Sequence, residues 1–389
     1  MTQLETLIQT LCPNGVKRYK LKEIAEMQRG TSITKKDIVE GTIPVISGGK
    51  EPAYYCNSSN READVITVAG SGASAGYVQY WEQPIFVCDS FSVKGKQNVS
   101  TKYLYYYLTN IQDNIYATKK GGGVPHVHIS SIENFQIPLP PLAVQSEIVR
   151  VLDKFTLHKA ELAAELAARL RQYEYYRAKL FELGEDTKWV KIEEIAETGI
   201  GLATSVTKWK KSSGVMLLHN SDIKQNRIIV KNYEYLDPEF VQKNHKKILH
   251  TGDIITVHTG DVGTSAIITE EYDGCIGFTT ITSRIKDNNI VSKEYFCHFL
   301  NSPVCKRAIA LQTISDRNNL NLEAFNKLLI PLPPLSEQER IVSILDRFDK
   351  LCHDIREGLP AEIELRQKQY EHYRDKLLTF TDIIGYKNL

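Results

Sequence analysis

The feature that most limits what this chain can fold into is a repeat. The segment IPLPPLAVQSEIVRVLDKF, Ile137 to Phe155, returns as IPLPPLSEQERIVSILDRF, Ile330 to Phe348. QYEYYRAKL (Gln172 to Leu180) returns as QYEHYRDKL (Gln369 to Leu377), with four extra residues between the two blocks in the second copy. The heads of the halves match as well, KLKEIAE (Lys20 to Glu26) against KIEEIAE (Lys191 to Glu197). Weaker echoes follow in the same order: ADVITVAGSG (Ala63 to Gly72) with GDIITVHTGD (Gly252 to Asp261), and VSTKYLYYYLTN (Val99 to Asn110) with VSKEYFCHFLNS (Val291 to Ser302). A repeat of about half the chain means two copies of one domain-plus-helix unit and not a solenoid of short modules. The inner segments diverge where the frames do not, as one framework carrying two different recognition surfaces would.

After each IPLPPL, whose prolines stop the preceding strand and fix an extended entry, a helical period begins. Alternate steps of four and three from Ile148 meet Leu152, Phe155, Lys159, Leu162, Leu166, Arg169, Tyr173, Tyr176 and Leu180, a mostly apolar seam. In the second copy the steps meet Ile341, Leu345, Phe348, Cys352, Ile355 and Leu359, then need one extra step of four to Ile363 before Tyr370, Tyr373 and Leu377. The four inserted residues predict a stutter, and Pro360 beside Gly358 predicts a local kink or break. Each helix of roughly 40 residues would be about 60 Å long. Alone it would expose its seam, so the simplest arrangement pairs the two antiparallel, with Ile148, Leu152, Phe155, Leu162, Leu166, Ile341, Leu345, Phe348, Ile355 and Tyr373 as pairing residues. The first copy also holds AELAAELAARL (Ala160 to Leu170), in which Ala-Glu-Leu-Ala recurs every four residues.

Between the frames lie short β-type runs, IPVIS (Ile43 to Ser47), DVITVA (Asp64 to Ala69), YVQYW (Tyr77 to Trp81), PIFVC (Pro84 to Cys88), DIITV (Asp253 to Val257) and SAIIT (Ser265 to Thr269), separated by Gly-, Ser- and Asn-rich turns. YLYYYL (Tyr103 to Leu108) and YFCHFL (Tyr295 to Leu300) read as a helix beside each sheet. The fold class is α+β: two tandem globular domains separated by two long helices pairing as an antiparallel coiled coil, with a pseudo-two-fold internal repeat. The boundaries are 1–142, 143–184, 185–335 and 336–389, for first domain, central helix, second domain and C-terminal helix.

Composition excludes several classes. With 42% hydrophobic and 24% charged residues the chain has the balance of a folded globular protein. The N-terminus MTQLETLIQTLCPNG carries Glu5 and lacks a basic leader, and no run approaches the ~18 apolar residues of a membrane helix. Cys12, Cys56, Cys88, Cys275, Cys297, Cys305 and Cys352 are scattered and form no Cys-x-x-Cys pair, which suits reduced thiols in a cytoplasm and not a zinc site. Net charge is +1, yet nine Lys/Arg stand against four Asp/Glu from Lys208 to Lys247, and five against one from Lys94 to Lys120. Basic patches on a neutral protein fit one face on nucleic acid and others on protein.

Catalytic motifs do not hold up. AGSGASAG (Ala69 to Gly76) follows a strand, but its Gly70-x-Gly72-x-x-x-Gly76 spacing departs from the dinucleotide fingerprint and YVQYW follows, a strand, so a tight hairpin turn is preferred. No Asn/Asp-Pro-Pro-Tyr/Phe sequence and no Gly-x-x-x-x-Gly-Lys-Ser/Thr occurs. His126 and His128 would face the same way on a strand but lack the companions that zinc needs, which leaves DNA contact or packing. Asp253, Asp261, Glu270 and Asp273 lie close in sequence and read as a solvated loop, since the first half has no matching acids.

The paired IPLPPL, the E/Q-rich helices after each and the ending GLPAEIELRQKQYEHYRDKLL resemble the specificity subunits of type I restriction-modification systems, across essentially the whole chain. The resemblance implies two target-recognition domains, each reading one half of a bipartite double-stranded DNA target, separated by the helices that family keeps alike. It implies two methyltransferase subunits docked on those helices, motor-nuclease subunits joining them in the cytoplasm of a bacterium or archaeon, and no membrane. S-adenosylmethionine, ATP and magnesium would belong to the partners, and this chain would be non-catalytic, with no cofactor and no metal of its own. Phosphate contacts are expected from Lys35, Lys36, Lys50, Lys119 and Lys120 in the first domain and Lys208, Lys210, Lys211, Lys246 and Lys247 in the second. Base reading, which needs forked or amide groups, is expected from Gln28, Arg29, Asn220, Arg227, Arg284, Arg317 and Asn318, with His126 a further DNA contact. A self-sufficient methyltransferase or nuclease, and a coiled-coil adaptor that never meets DNA, stay open on the residues.

Overall fold

A computed structural model of the chain describes residues 3–33, 39–184, 186–312, 319–354 and 358–380. It divides into two compact units, residues 1–163 with 362–389, and residues 164–361.

In the first unit an antiparallel sheet runs in the order Ala25–Arg29, Ser90–Gly95, Val65–Ala69, Val78–Trp81. Beside it lies a smaller sheet of Tyr54–Cys56, Ile43–Ile46 and Phe86–Val87, the last pair parallel. Val65–Ala69 is apolar apart from Thr67, which accepts from Trp81 Nε1 at 2.9 Å, because both its faces are covered, and all five residues are buried. Ile66 and Val68 join the core that holds Tyr103 and Leu104 of the helix Thr101–Asn110, while Val65 packs with Ile46, Ile85 and Val87. The period of two in a strand sends alternate residues to these opposite sides.

The second unit repeats the plan with other residues. Its main sheet runs Ala196–Ile200, Thr280–Ile285, Ile254–Val257, Ser265–Ile267, and its smaller sheet pairs Val215–His219 in parallel with Ile276–Phe278. Ile254 packs toward Tyr295 and Phe296 of the helix Lys293–Leu300, and Ile255 and Val257 toward Leu218 on the other face. A hairpin of Ile223–Lys224 with Arg227–Ile228 and a helix Pro238–Lys243 are added here.

The repeated IPLPPL closes each domain and launches its helix. Ile137–Pro138 pairs with Arg18–Tyr19, and Ile330–Pro331 with Trp189–Val190, so each strand includes the first proline of its motif and ends soon after. The helices start at Leu142 and Leu335, directly after Pro140–Pro141 and Pro333–Pro334. A glutamine one turn in locks each junction. Gln145 accepts from Ser100 N at 2.8 Å and donates to Asn98 O at 3.2 Å and Pro140 O at 2.8 Å. Gln338 accepts from Ser292 N at 3.0 Å and donates to Ile290 O at 2.9 Å and Pro333 O at 3.0 Å. Tyr103 and Tyr295 add matching hydroxyl bonds to Pro138 O and Pro331 O.

The central helix is unbroken from Leu142 to Lys179, 38 residues or about 57 Å. The C-terminal one is two helices, Leu335–His353 and Leu359–Thr379, so the helix is interrupted beside Gly358 and Pro360, where a kink or break was expected, and the stutter is not carried by one continuous helix. Gly358 sits there because a Cβ would meet the carbonyl oxygens of Lys350, Asp354 and Leu351 at 2.6–2.8 Å. Pro360 is not what breaks the helix: it occupies the first turn of the second piece, where its missing N–H costs nothing. Helix pairing is antiparallel within each unit. In the first, Phe155 stacks on Tyr373 with centroids 5.3 Å apart, and Lys159 Nζ donates to Gln367 Oε1 at 2.7 Å. In the second, Tyr176 stacks on Phe348 at 5.3 Å and Tyr173 meets His353 at 6.0 Å.

Because both glutamines are buried and fully bonded, Gln145→Leu and Gln338→Leu should each strand backbone groups and cost about 1–3 kcal/mol in urea unfolding. A change below about 0.5 kcal/mol would mean the junction does not depend on the carboxamide.

Candidate DNA interface

The expected basic and base-reading residues divide by what their side chains already do. In the first domain Gln28 and Arg29 stand exposed at the end of the strand Ala25–Arg29, with no side-chain partner among the described residues. Lys120 is exposed. Lys119 lies over the Tyr116 ring at 4.2 Å, and Lys50 over Tyr77 at 5.0 Å. His126 and His128 stack on each other, centroids 5.9 Å apart and planes 9° apart. Lys35 and Lys36 lie outside the described residues.

In the second domain Lys208 and Lys246 are exposed and have no side-chain partner among the described residues. The others are engaged. Lys210 bonds Glu234 at 2.7 Å, and with His219 it holds the Glu234 carboxyl below the usual carboxylate range. Lys211 lies 3.4 Å from Asp237, and Lys247 Nζ donates to Gly201 O at 2.7 Å. Arg284 grips the buried Asp253 through two bonds, 2.8 and 2.7 Å. Asn220 Nδ2 donates to Thr259 O at 2.6 Å. Arg227 lies 4.0 Å from Asp349, whose carboxyl burial would raise but His353 and Arg227 hold low. Arg317 and Asn318 lie outside the described residues.

Among the expected helix-pairing residues, Phe155, Phe348 and Tyr373 make the ring contacts between helices. Ile148 and Leu152 are fully buried in the first domain's core, which also takes in Leu377 and Leu378. Ile341 and Leu345 do the same in the second, with Tyr173 and Phe181. Leu162 and Leu166 are half-buried, and Ile355 lies outside the described residues.

The chemistry weighed from the sequence finds other uses. AGSGASAG is the turn between the antiparallel strands Val65–Ala69 and Val78–Trp81, with Gly72 and Gly76 at φ 80° and 85°. Asp253 is taken by Arg284 and His250 N, and Asp273 accepts from Thr251 N at 2.7 Å. Among the described residues no group of three or more His, Cys, Asp or Glu could hold a metal ion, and no helix is long and apolar enough to cross a membrane. A cleft of about 250 Å³ in the first domain gathers Arg29, Gly30, Asp89, Ser90, His126 and His128. Sequence reasoning missed Asp89, which accepts from Ser71, and Arg61, which ties Ser92 Oγ and Arg29 O at 2.7 Å each. It missed the two glutamines too, although Gln is retained at that place in both copies while its neighbours change.

Comparison with known proteins agrees with this duplicated plan. A family model described as the type I restriction modification DNA specificity domain matches twice, at residues 13–172 and 184–365. A putative type I restriction enzyme specificity subunit of Haemophilus influenzae is 32% identical over 364 residues, 88% of this chain and 89% of that protein. A type I restriction enzyme specificity subunit of Escherichia coli is 29% identical over 423 residues, covering 98% of both. The fold is shared with the crystal structure of a type I S subunit from M. genitalium, TM-score 0.60 at 16% identity over 94% of this chain and 97% of that one. A chain from a structure of type I restriction-modification complex assembly gives TM-score 0.65 at 15% identity, over 94% and 98%. With the family model covering both halves, and relatives aligned along nearly the whole sequence, the chain belongs to the DNA specificity subunits of type I restriction-modification systems.

Proposed function

We propose that each of the two domains reads one part of a bipartite double-stranded DNA target, and that the helices set the gap between the parts and dock two methyltransferase subunits. Motor-nuclease subunits would join that assembly in the cytoplasm. S-adenosylmethionine, ATP and magnesium would be held by those partners, and this chain would make and break no bonds. The observation that carries the reading is the doubled frame: the same four-stranded main sheet and the same glutamine lock, around loops of different chemistry. Exposed apolar side chains along the helices support docking there, with Leu157, Tyr175 and Leu365 each more than half exposed.

Coexpressed with a methyltransferase partner, the chain should direct methylation to a split motif with a fixed gap, read by methylome sequencing. A contiguous motif, or none, would contradict the reading. The purified chain alone, given labelled S-adenosylmethionine and DNA, should transfer no methyl group. One added Ala-Glu-Leu-Ala unit within 160–170 lengthens a helix by about 6 Å, so the gap should grow by one or two base pairs at about 3.4 Å each. An unchanged gap would remove the helices as spacer. Lys208→Ala and Lys246→Ala should weaken binding to all duplexes alike and lower the salt slope by about one phosphate each.

A further inference from the structure

We infer that the cleft at the loop end of the first domain's main sheet reads base edges, with Arg29, His126 and His128 as its reading side chains for a G·C pair. This rests on the proposed two-domain DNA reading and deepens it.

The cleft is built by backbone. Gly30 N donates to Ser90 O at 2.8 Å, Gly70 N to Asp89 O at 3.2 Å, and Val127 N to Gly70 O at 3.0 Å. The second domain makes the same bonds in the same order, Gly201 N to Thr280 O at 2.9 Å, His258 N to Thr279 O at 3.2 Å, and Leu320 N to His258 O at 2.9 Å. Each cradle also needs a glycine at the same place. A Cβ on Gly30 would lie 2.0 Å from Cys88 O, and one on Gly201 would lie 2.4 Å from Gly277 O. The isolated bridges Ser71↔His126 and Thr259↔Asn319 complete the correspondence.

On this shared floor the side chains differ in kind. Where the first domain has Arg29, Asp89 and His126, the second has Ile200, Thr279 and Asn319. An exposed side chain with no internal partner leaves its polar end to water or to a ligand, whereas a buried one is held in internal bonds. Arg29 has no hydrogen-bond or ion-pair partner among the described residues, and the rings of His126 and His128 stack on each other with no side-chain hydrogen bond among those residues. On the second domain's floor the buried Asn319 Oδ1 has no hydrogen-bond partner. Its edge is strained as well, since Thr279 is β-branched yet sits at φ 53°, a region such residues seldom adopt. Backbone held fixed while the side chains on it are exchanged, with Arg29 left without an internal partner, is the arrangement of an interchangeable reading head.

The chemistry selects the bases. A guanidinium fork and imidazole N–H groups are donors, and the guanine O6 and N7 acceptors face the major groove together. Asp89, with one carboxylate oxygen accepting from Ser71, is an acceptor beside them, suited to the cytosine N4 amino group across the pair.

The test uses the full chain with its methyltransferase partner and methylome sequencing of Arg29→Lys, Arg29→Ala and His126→Ala. One half of the motif should contain a G·C pair, and that position should become degenerate, with discrimination falling about tenfold or more. The other half should keep its letters, which shows in the same molecules that the chain is folded and assembled. Arg29→Lys keeps the charge but loses the fork, so it should relax the same position with methylation retained. An unchanged motif in all three variants, or equal relaxation of both halves, would overturn the assignment and leave the two-domain reading standing. A wild-type complex that writes no split motif would overturn both.

Discussion

Gln145 and Gln338 lie at the foot of the two long helices, and both ends of each carboxamide are bonded to backbone inside the protein. Each ties three segments together: the loop before the domain's core helix, the proline turn, and the first turn of the long helix. A helix joined to its domain only by a flexible turn could swing. One held by a buried, saturated polar lock is fixed in direction, because any rotation would leave buried groups without partners. The apolar residues just beyond, Ile148 and Leu152 in one unit and Ile341 and Leu345 in the other, extend the attachment by burying the next turns in the domain core. The first turns of each long helix are therefore held in register with their own domain.

Much of this was legible in the sequence. The repeat gave the two domains, and the spacing after IPLPPL gave the helices and their antiparallel pairing. Seam periodicity alone could not tell which apolar residues face the partner helix and which enter a domain core, because both lie on one stripe. The phase slip was legible as well, but a slip in register can be a stutter or a break. Gly358 and Pro360 mark the place of the break in the sequence, but its cause, the close backbone approach at Gly358, has no periodic signature.

The interface was less legible. Composition finds lysines and arginines but not their partners. Arg284 is an exposed arginine in sequence and the counter-ion of the buried Asp253 in space. Arg177, on the central helix, bonds Asn301 O at 2.7 Å and Gln225, residues on separate elements that only folding brings together. Such groups hold the second domain's added hairpin in place, and Asn226 at its turn, with φ 58°, bonds both Tyr173 and Asn301. Charge counting finds the basic residues, and pairing geometry separates the side chains without an internal partner from those already bonded.

The central claim is that the two halves are independent readers on one frame, and an exchange of one for the other tests it directly. Residues 18–138 replaced by residues 189–331 would give a chain with two copies of the second reader, cut where Arg18 faces Pro138 and Trp189 faces Pro331, at strands that pair alike in both. With the methyltransferase partner, the account predicts a split motif whose two parts carry the same letters. A motif that kept its original first part would contradict it.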